Sequence, residues 1–469
     1  MIPRRFLRPV VAAFLSLAAA QAAQSDTLAD ALVGAYKTSG LIDQNRAVLR
    51  AADEDVAQAV AELRPVLNWS AEIQREYTKT FSGLPGVSQS VSQVEDSAIL
   101  GLSAEWTVYD FGRNKMGVDV AKEAVLVARD ELISTEQQVF LRATEAFFEL
   151  RRALLNVDLR QSNNRLIQQE LRAARDRFEV GEVTRTDVSL AEARLAATRS
   201  ALAVAQGNVV IAQEEYLAAV GSRPGPLQPP SALPSLPGSV DAATGVALRT
   251  HPEIRAQQRR VTLSELGIAI AKLQRKPTVT LQGRAGFSDS LDGDAWAQTG
   301  EISLGATGPI YRGGELSSLV RQAMAERDQQ RALLLQVTEQ VRQTVANAYV
   351  QLNVARANIA AGQNQVRASR VAFEGVREEA TLGARTTLDV LDAEQELLDA
   401  RTTLISATVD EYLAAYNVLA AIGQLTAEDL RLPVQRYDPT EYYKLVKDAP
   451  FRTKQGDQLD RVLKALGKE

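Results

Sequence analysis

Cysteine is absent from this sequence, and histidine occurs once, as His251. Without thiols or a second imidazole, the chain cannot build a zinc-finger cluster, a Cys/His nucleophile pair or a two-histidine metal site. A Ser/His/Asp arrangement would have to use His251, and no Gly-rich phosphate loop is present, so neither enzyme activity nor a cofactor is expected. Basic charge is also short: 53 Lys and Arg stand against 58 Asp and Glu, a formal net charge of -5. That balance argues against a nucleic-acid binder, which needs a basic face to displace counterions from phosphate. Aromatic residues make up 5% of the 469 positions, low for a conventional enzyme core. What the chain has instead is Ala, Gln, Arg, Glu and Leu, the composition of a helical body.

The N-terminus reads as a targeting segment. Arg4, Arg5 and Arg8 precede an apolar stretch from Val10 to Ala20, and the small residues Ala20 and Ala22 follow. This is the pattern of a secretory signal peptide over residues 1–22, too short for a membrane span of about 20 apolar residues. Removing its three arginines takes the charge from -5 to about -8. No later run reaches the length of continuous apolar sequence that a spanning helix needs, so any membrane role falls to strands.

The rest of the chain repeats itself. Gly181, Asp187, Ala191, Glu192 and Gly221 recur as Gly383, Asp389, Ala393, Glu394 and Gly423, all at an offset of 202. The same offset relates Tyr109 and Gly112 to Tyr311 and Gly314, whereas Pro65 and Pro277 are 212 apart. The first repeat (residues 23–221) therefore carries about ten extra residues between Pro65 and Tyr109. A proline-rich linker at 222–240 joins it to the second repeat (241–423), and a polar extension follows at 424–469.

Each repeat sets a strand pair among helices. Leu67, Trp69, Ala71 and Ile73 alternate with polar residues, as do Leu100, Leu102, Ala104, Trp106 and Val108. The pairs span about 65–111 and about 277–311, with polar loops expected at Ser82 to Asp96 and Ser288 to Gln298. Residues 113–180 and 315–382 lack proline, and each would be about 100 Å long as a helix. From Val188 to Ala219, and again from Val390 to Ala421, small and apolar residues recur at spacings of three and four, with Glu411 as an exception. This seam lets helices approach closely, so antiparallel hairpins are expected with tips near Gly181 and Gly383.

Four amphipathic strands leave exposed edges unless several copies close them. Three copies would supply twelve strands, with apolar residues facing lipid and Glu72, Glu105, Arg284 and Glu301 facing water. The alternatives are a soluble sandwich packed on its own helices, or a soluble periplasmic coiled-coil adaptor or scaffold. An adaptor would need a compact domain between its hairpins, where this chain has amphipathic strands.

The duplicated plan, the exit Tyr311, Arg312, Gly313, Gly314, and above all the run Gly383, Ala384, Arg385, Thr386, Thr387, Leu388, Asp389, Val390, Leu391, Asp392 resemble the TolC family of outer-membrane efflux and secretion channels. The resemblance covers roughly residues 26 to 425. It implies a mixed fold: a long α-helical hairpin barrel forming a periplasmic tunnel, and four strands per protomer completing a trimeric twelve-stranded barrel in the Gram-negative outer membrane. It also implies a homotrimer that docks a periplasmic adaptor and an inner-membrane transporter of ABC or RND type, as in multidrug efflux or type I secretion.

Asp389 and Asp392 lie one turn apart on one helix face. Their residue types suit two roles: acids complementing the dipole of a helix start capped by Thr386, or rings of carboxylates that attract cations in a pore. The family's constriction aspartates fall on these two positions. Its tip links fall on Arg385 with Thr186 and Asp187, while its helix-to-strand redirections fall on Pro65, Pro277, Gly112 and Gly314. One departure is Ala380, where a better-known relative carries a gating tyrosine. Trp69, Trp106 and Tyr109 suit an interfacial aromatic girdle. His251, before Pro252, suits a helix start.

Overall fold

The computed structural model describes residues 26–84, 87–230 and 232–449. The targeting segment and residues 450–469 lie outside the described residues. Two units are distinguished by internal contacts. One comprises the described residues up to Arg46 together with Glu131–Ile254 and Gln336–Tyr437; the other comprises Ala47–Asp130, Arg255–Leu335 and the described residues from Asp438 onward.

The chain runs through α1 (Leu28–Thr38), α2 (Gly40–Ala61), β1 (Val66–Leu84), β2 (Val87–Tyr109), α3 (Arg113–Glu179) and α4 (Arg185–Val220). The second repeat follows the same order with α5 (Val240–Thr250), α6 (Pro252–Leu273), β3 (Thr278–Ser290), β4 (Trp296–Thr307), α7 (Glu315–Thr381) and α8 (Thr387–Ala421). A short α9 (Glu441–Val446) comes last. The segments expected to be helical at 113–180 and 315–382 are thus single helices with 67 residues each.

The unit that includes the ends of the long helices is built on apolar contacts among them. Phe140, Phe147 and Phe148 of α3 are fully buried, and Phe148 stacks on Tyr412 of α8 with ring centroids 5.1 Å apart. Glu411, the exception in the seam, is paired with Arg356 at 3.1 Å, which explains how a carboxylate is tolerated there. By length and composition α4 reaches a mean hydropathy of 1.2 and would pass for a spanning helix. Ala191, Leu195, Ala205, Tyr216 and Val220 are buried on one side of it, whereas Val204, Val210 and Ile211 are exposed.

The repeats use glycine alike where each hairpin returns. Gly221 has a φ of 83°, and a Cβ there would lie 2.3 Å from Thr38 Oγ1. That hydroxyl donates to the Val220 carbonyl at 2.9 Å, joining α1 to the end of α4. Gly423 repeats the arrangement: its φ is 77°, and a Cβ would lie 3.0 Å from His251 Cα. His251 accepts from the Glu253 amide through Nδ1 at 3.3 Å, so it acts at the α5–α6 junction, as expected. Gly221→Ala should destabilise the fold by about 2–4 kcal/mol, combining left-handed strain with a clash. Denaturant unfolding checks this, with Gly207→Ala, in open space within α4, as a control expected to stabilise by about 0.5–1 kcal/mol.

In the other unit the four strands form one antiparallel sheet in the order β1-β2-β3-β4, so the two repeats pair through β2 and β3. The loop expected at Ser82 to Asp96 is corrected: β1 and β2 pair continuously from Val66 opposite Glu105 to Leu84 opposite Val87. The ten-residue excess is therefore spent on strand. Alternating Ser, Gln and Val satisfy their backbone by pairing, which an isolated loop of that length would not. The second hairpin is shorter, with β3 running to Ser290 and β4 starting at Trp296, so its expected loop also shrinks to a tight connection.

The register sorts the side chains as the alternation predicts. Leu67, Trp69, Ala71 and Ile73 share a face with Leu100, Leu102 and Ala104, and with Leu281, Ala285, Phe287, Ile302 and Leu304. Leu67 is 79% exposed, Ile73 79% and Ile302 84%, a continuous apolar surface that a single chain leaves uncovered. The ion pair between Arg75 and Asp96 interrupts this face, which continues beyond it with Tyr77 opposite Val94. Glu105, Arg284 and Glu301 occupy the opposite face together with Glu72.

Pro65 and Pro277 stand immediately before β1 and β3, and Gly112 follows β2 with a φ of 86°. Gly313 and Gly314, at 56° and 89°, precede α7. A Cβ at Gly308 would lie 2.8 Å from Pro277, so the two chain crossings of the second repeat approach closely. Asp110 accepts from the amides of Gly112 and Asn114 at 2.9 and 2.7 Å, starting α3 where the strand ends.

Candidate functional site

Both hairpin tips are built by the same local chemistry. α3 ends on a left-handed Gly181 (φ 80°), with the Glu182 amide reaching back to the Arg177 carbonyl at 2.9 Å. α7 ends on Gly383 (φ 78°), with Ala384 bonding the Glu379 carbonyl at 2.9 Å. This six-to-one bond satisfies carbonyls that the helix end leaves open. Three residues beyond each glycine a threonine caps the returning helix. Thr184 and Asp187 form a capping box on α4, and Thr386 and Asp389 form its counterpart on α8.

This placement decides what each expected residue does within one chain. Asp389 accepts from the Thr386 amide and hydroxyl, both at 2.9 Å. Those bonds, with Arg385 adding a smaller effect, hold its carboxyl below the usual range. The cap role is therefore realised, and the carboxylate is ionised with a neutral hydrogen-bond partner. Asp187 is held in the same way by Thr184 and is likewise shifted down. The cap of α4 is Thr184, and Thr186 lies inside the first turn. Arg385 donates to Glu379 of its own hairpin at 2.8 Å, so a single chain does not bring Arg385 together with Thr186 and Asp187. Ala380 is buried with Phe373, Val390 and Leu397, whereas Phe178 is 43% exposed. Asp392 is 62% exposed and accepts from Arg194 of α4 at 2.9 Å.

Behind the tips sits a residue that the sequence reading missed. Glu394 is 4% exposed on α8 and accepts from Asn163 of α3 through Oε1, while its Oε2 has no hydrogen-bond partner among the described residues. Burial pushes its carboxyl up to about 7, opposed by Arg194 and Arg401 and reinforced by Asp399 and Glu170. A signal existed, because Glu394 falls between Leu391 and Leu398 on the same helical face, both of them buried. Its counterpart Glu192 lies on the surface, paired with Arg175 at 2.6 Å. Among the described residues no group of three or more His, Asp or Glu side chains is placed to hold a metal ion.

Trp69 is 77% exposed and Tyr109 55%, while Trp106 donates from its indole to the Leu63 carbonyl at 3.1 Å. A register shift between Thr107 and Tyr109 sets Tyr109 opposite Val279, on the apolar side.

Amphipathic strands with uncovered edges, attached to long paired helices that turn on charged tips, define a membrane-inserted channel built by several copies. The family described as "Outer membrane efflux protein" matches residues 32–222 and 244–424, each block holding one strand pair and one hairpin. The outer membrane efflux protein BepC of Brucella suis is 35% identical over 433 residues, covering 92% of each chain. The proteases secretion protein PrtF of Dickeya chrysanthemi is 27% identical over 85% of this chain and 91% of its own. Among solved structures, the outer membrane protein VceC of Vibrio cholerae superimposes with a TM-score of 0.71 at 21% identity, over 84% of this chain and 96% of the other, which shows a common fold. The chain belongs to the outer membrane efflux protein family, a family of outer-membrane channels rather than of enzymes.

Proposed function

We propose that three copies of this chain form a passive duct through the outer membrane, loaded from a periplasmic adaptor and an inner-membrane transporter of ABC or RND type. The observation that carries the trimer is the sheet: it is apolar on one face, and among the described residues β1 and β4 each pair on one side only. In hydrocarbon every backbone group must be paired, so the free edges have to meet those of other copies, and three sheets make a barrel of twelve strands. Trp69, Trp106 and Tyr109 would then stand in the aromatic girdle. The efflux and protease-secretion relatives support service in either export system. A detergent-solubilised trimer by mass supports this reading; a monodisperse protein that needs no detergent supports the periplasmic scaffold instead.

At the entrance, we assign Asp389 and Asp392 to the constriction. Two positions repeated three times give two rings of carboxylates, which focus a negative field and favour cations. Arg385 with Thr186 and Asp187 would link neighbouring tips, supplementing the bond from Arg385 to Glu379. Arg385→Ser removes both and should raise resting single-channel conductance by about twofold or more, since a closed pore is set by its narrowest ring. Unaltered conductance would place the gate elsewhere.

A further inference from the structure

Three links cross from the first repeat to the second close behind the tips. Arg194 Nη2 lies 2.9 Å from Asp392 Oδ1, Asn163 donates to the buried Glu394, and Arg377 Nε lies 3.2 Å from Glu170 Oε1. The first of these involves the proposed constriction itself. Arg194 also donates to Gln395 at 3.4 Å, so one guanidinium spans a full turn of α8.

The duplication gives this pair its significance. At the offset of 202, the position of Asp392 is Leu190 in the first repeat, and the position of Arg194 is Glu396 in the second. Around them the repeats agree: Asp187 matches Asp389, Ala191 matches Ala393, and Leu195 matches Leu397. The carboxylate that the second hairpin adds is therefore met by an arginine that the first hairpin adds. The repeats differ at other positions here, such as Ser189 against Leu391 and Ala193 against Gln395, but these two charged departures are parts of one contact.

We infer that Arg194 is a selectivity and gating residue of the channel: it masks the Asp392 carboxylate while tying the second hairpin to the first, so that the closed entrance presents the Asp389 ring alone. The inference rests on the assignment of Asp389 and Asp392 to the constriction. An ion pair at 2.9 Å presents a dipole to a passing ion, and its field falls off faster than that of a lone charge. Asp389 is hydrogen-bonded to an uncharged threonine, with Arg385, itself bonded to Glu379, exerting the smaller effect. Separating the hairpins breaks the pair and uncovers the second ring, so opening and cation preference rise together.

The test uses the full-length trimer in planar bilayers, with resting conductance and reversal potential in a salt gradient read for each variant. Gln is a good helix former, so R194Q keeps the helix. R194Q should raise the cation-to-anion permeability ratio about two- to fivefold, and resting conductance with it, by exposing three carboxylates. R194K should stay near wild type. R194Q/D392N should bring the ratio back while conductance stays high, and the charge exchange R194D/D392R should restore both. R194Q unchanged in both readouts, in a channel where D389N lowers the ratio, overturns this inference and leaves the constriction standing. No effect from either variant overturns the constriction assignment and this inference with it.

Discussion

Asp389→Asn in the assembled trimer is expected to lower the cation-to-anion permeability ratio severalfold, because it removes the unmasked ring of three carboxylates from the narrowest part of the pore. Asp392→Asn should lower the ratio through a different route, by leaving Arg194 without its counter-charge. Trimer formation should survive both. Thr386 remains the N-cap and an Asn at 389 keeps an acceptor for its amide, so the contacts along α3, α4, α7 and α8 are left in place. The direction of the Asp389 shift adds a pH test. Its carboxyl lies below the usual value near 3.8, so its stabilising cap is present above that value and lost only as pH falls through the depressed one. Selectivity should therefore hold level from about pH 8 to about pH 5 and decline only in stronger acid. Reversal potentials across that range check it; a midpoint near neutrality would assign the selectivity to another group.

Glu394→Gln is expected to stabilise the protein at pH 8 by up to about 3 kcal/mol per protomer, an unusual result for a substitution in a core. Gln keeps the acceptor that Asn163 bonds and removes the charge whose second oxygen lacks a partner. The carboxyl is raised from 4.5 to about 7 in the fold. The folded protein thus holds a proton that the unfolded chain has released between those values. The stability this contributes is full below about pH 4.5 and is lost as pH rises through about 7. Wild type should accordingly lose stability between pH 5 and pH 8, and E394Q should remove much of that slope. Denaturant unfolding of both proteins at the two pH values decides it, and equal stabilities at pH 8 would mean that the ionised carboxylate finds solvent or a partner.

The sequence carried the periodic features well. Strand faces followed from period-two alternation, the hairpin tips from paired glycines at a constant offset, and the start of α8 from Thr386. The chain from Ser82 to Asp96 was harder, because alternating Ser, Gln and Val look like loop until a paired neighbour is known. Pairing of β2 with β3 was not legible either, since it joins residues nearly 200 positions apart. At the tips the sequence placed Asp389 and Asp392 correctly on one helix, but their partners were a matter of distance. Arg194 stands 198 residues before Asp392, and Glu394 looked like its exposed counterpart Glu192 until the burial of its face was known. Charges on a long helix acquire their meaning from the neighbouring helix, which a single sequence does not display.

The central claim, that this chain makes an ion-conducting duct with an acidic, normally closed entrance, is tested most directly by single-channel recording of detergent-purified protein in a planar bilayer. A small resting conductance with clear cation preference, carried by trimers, is expected. Verified membrane-inserted protein that conducts nothing, or a pore that prefers anions, would contradict it.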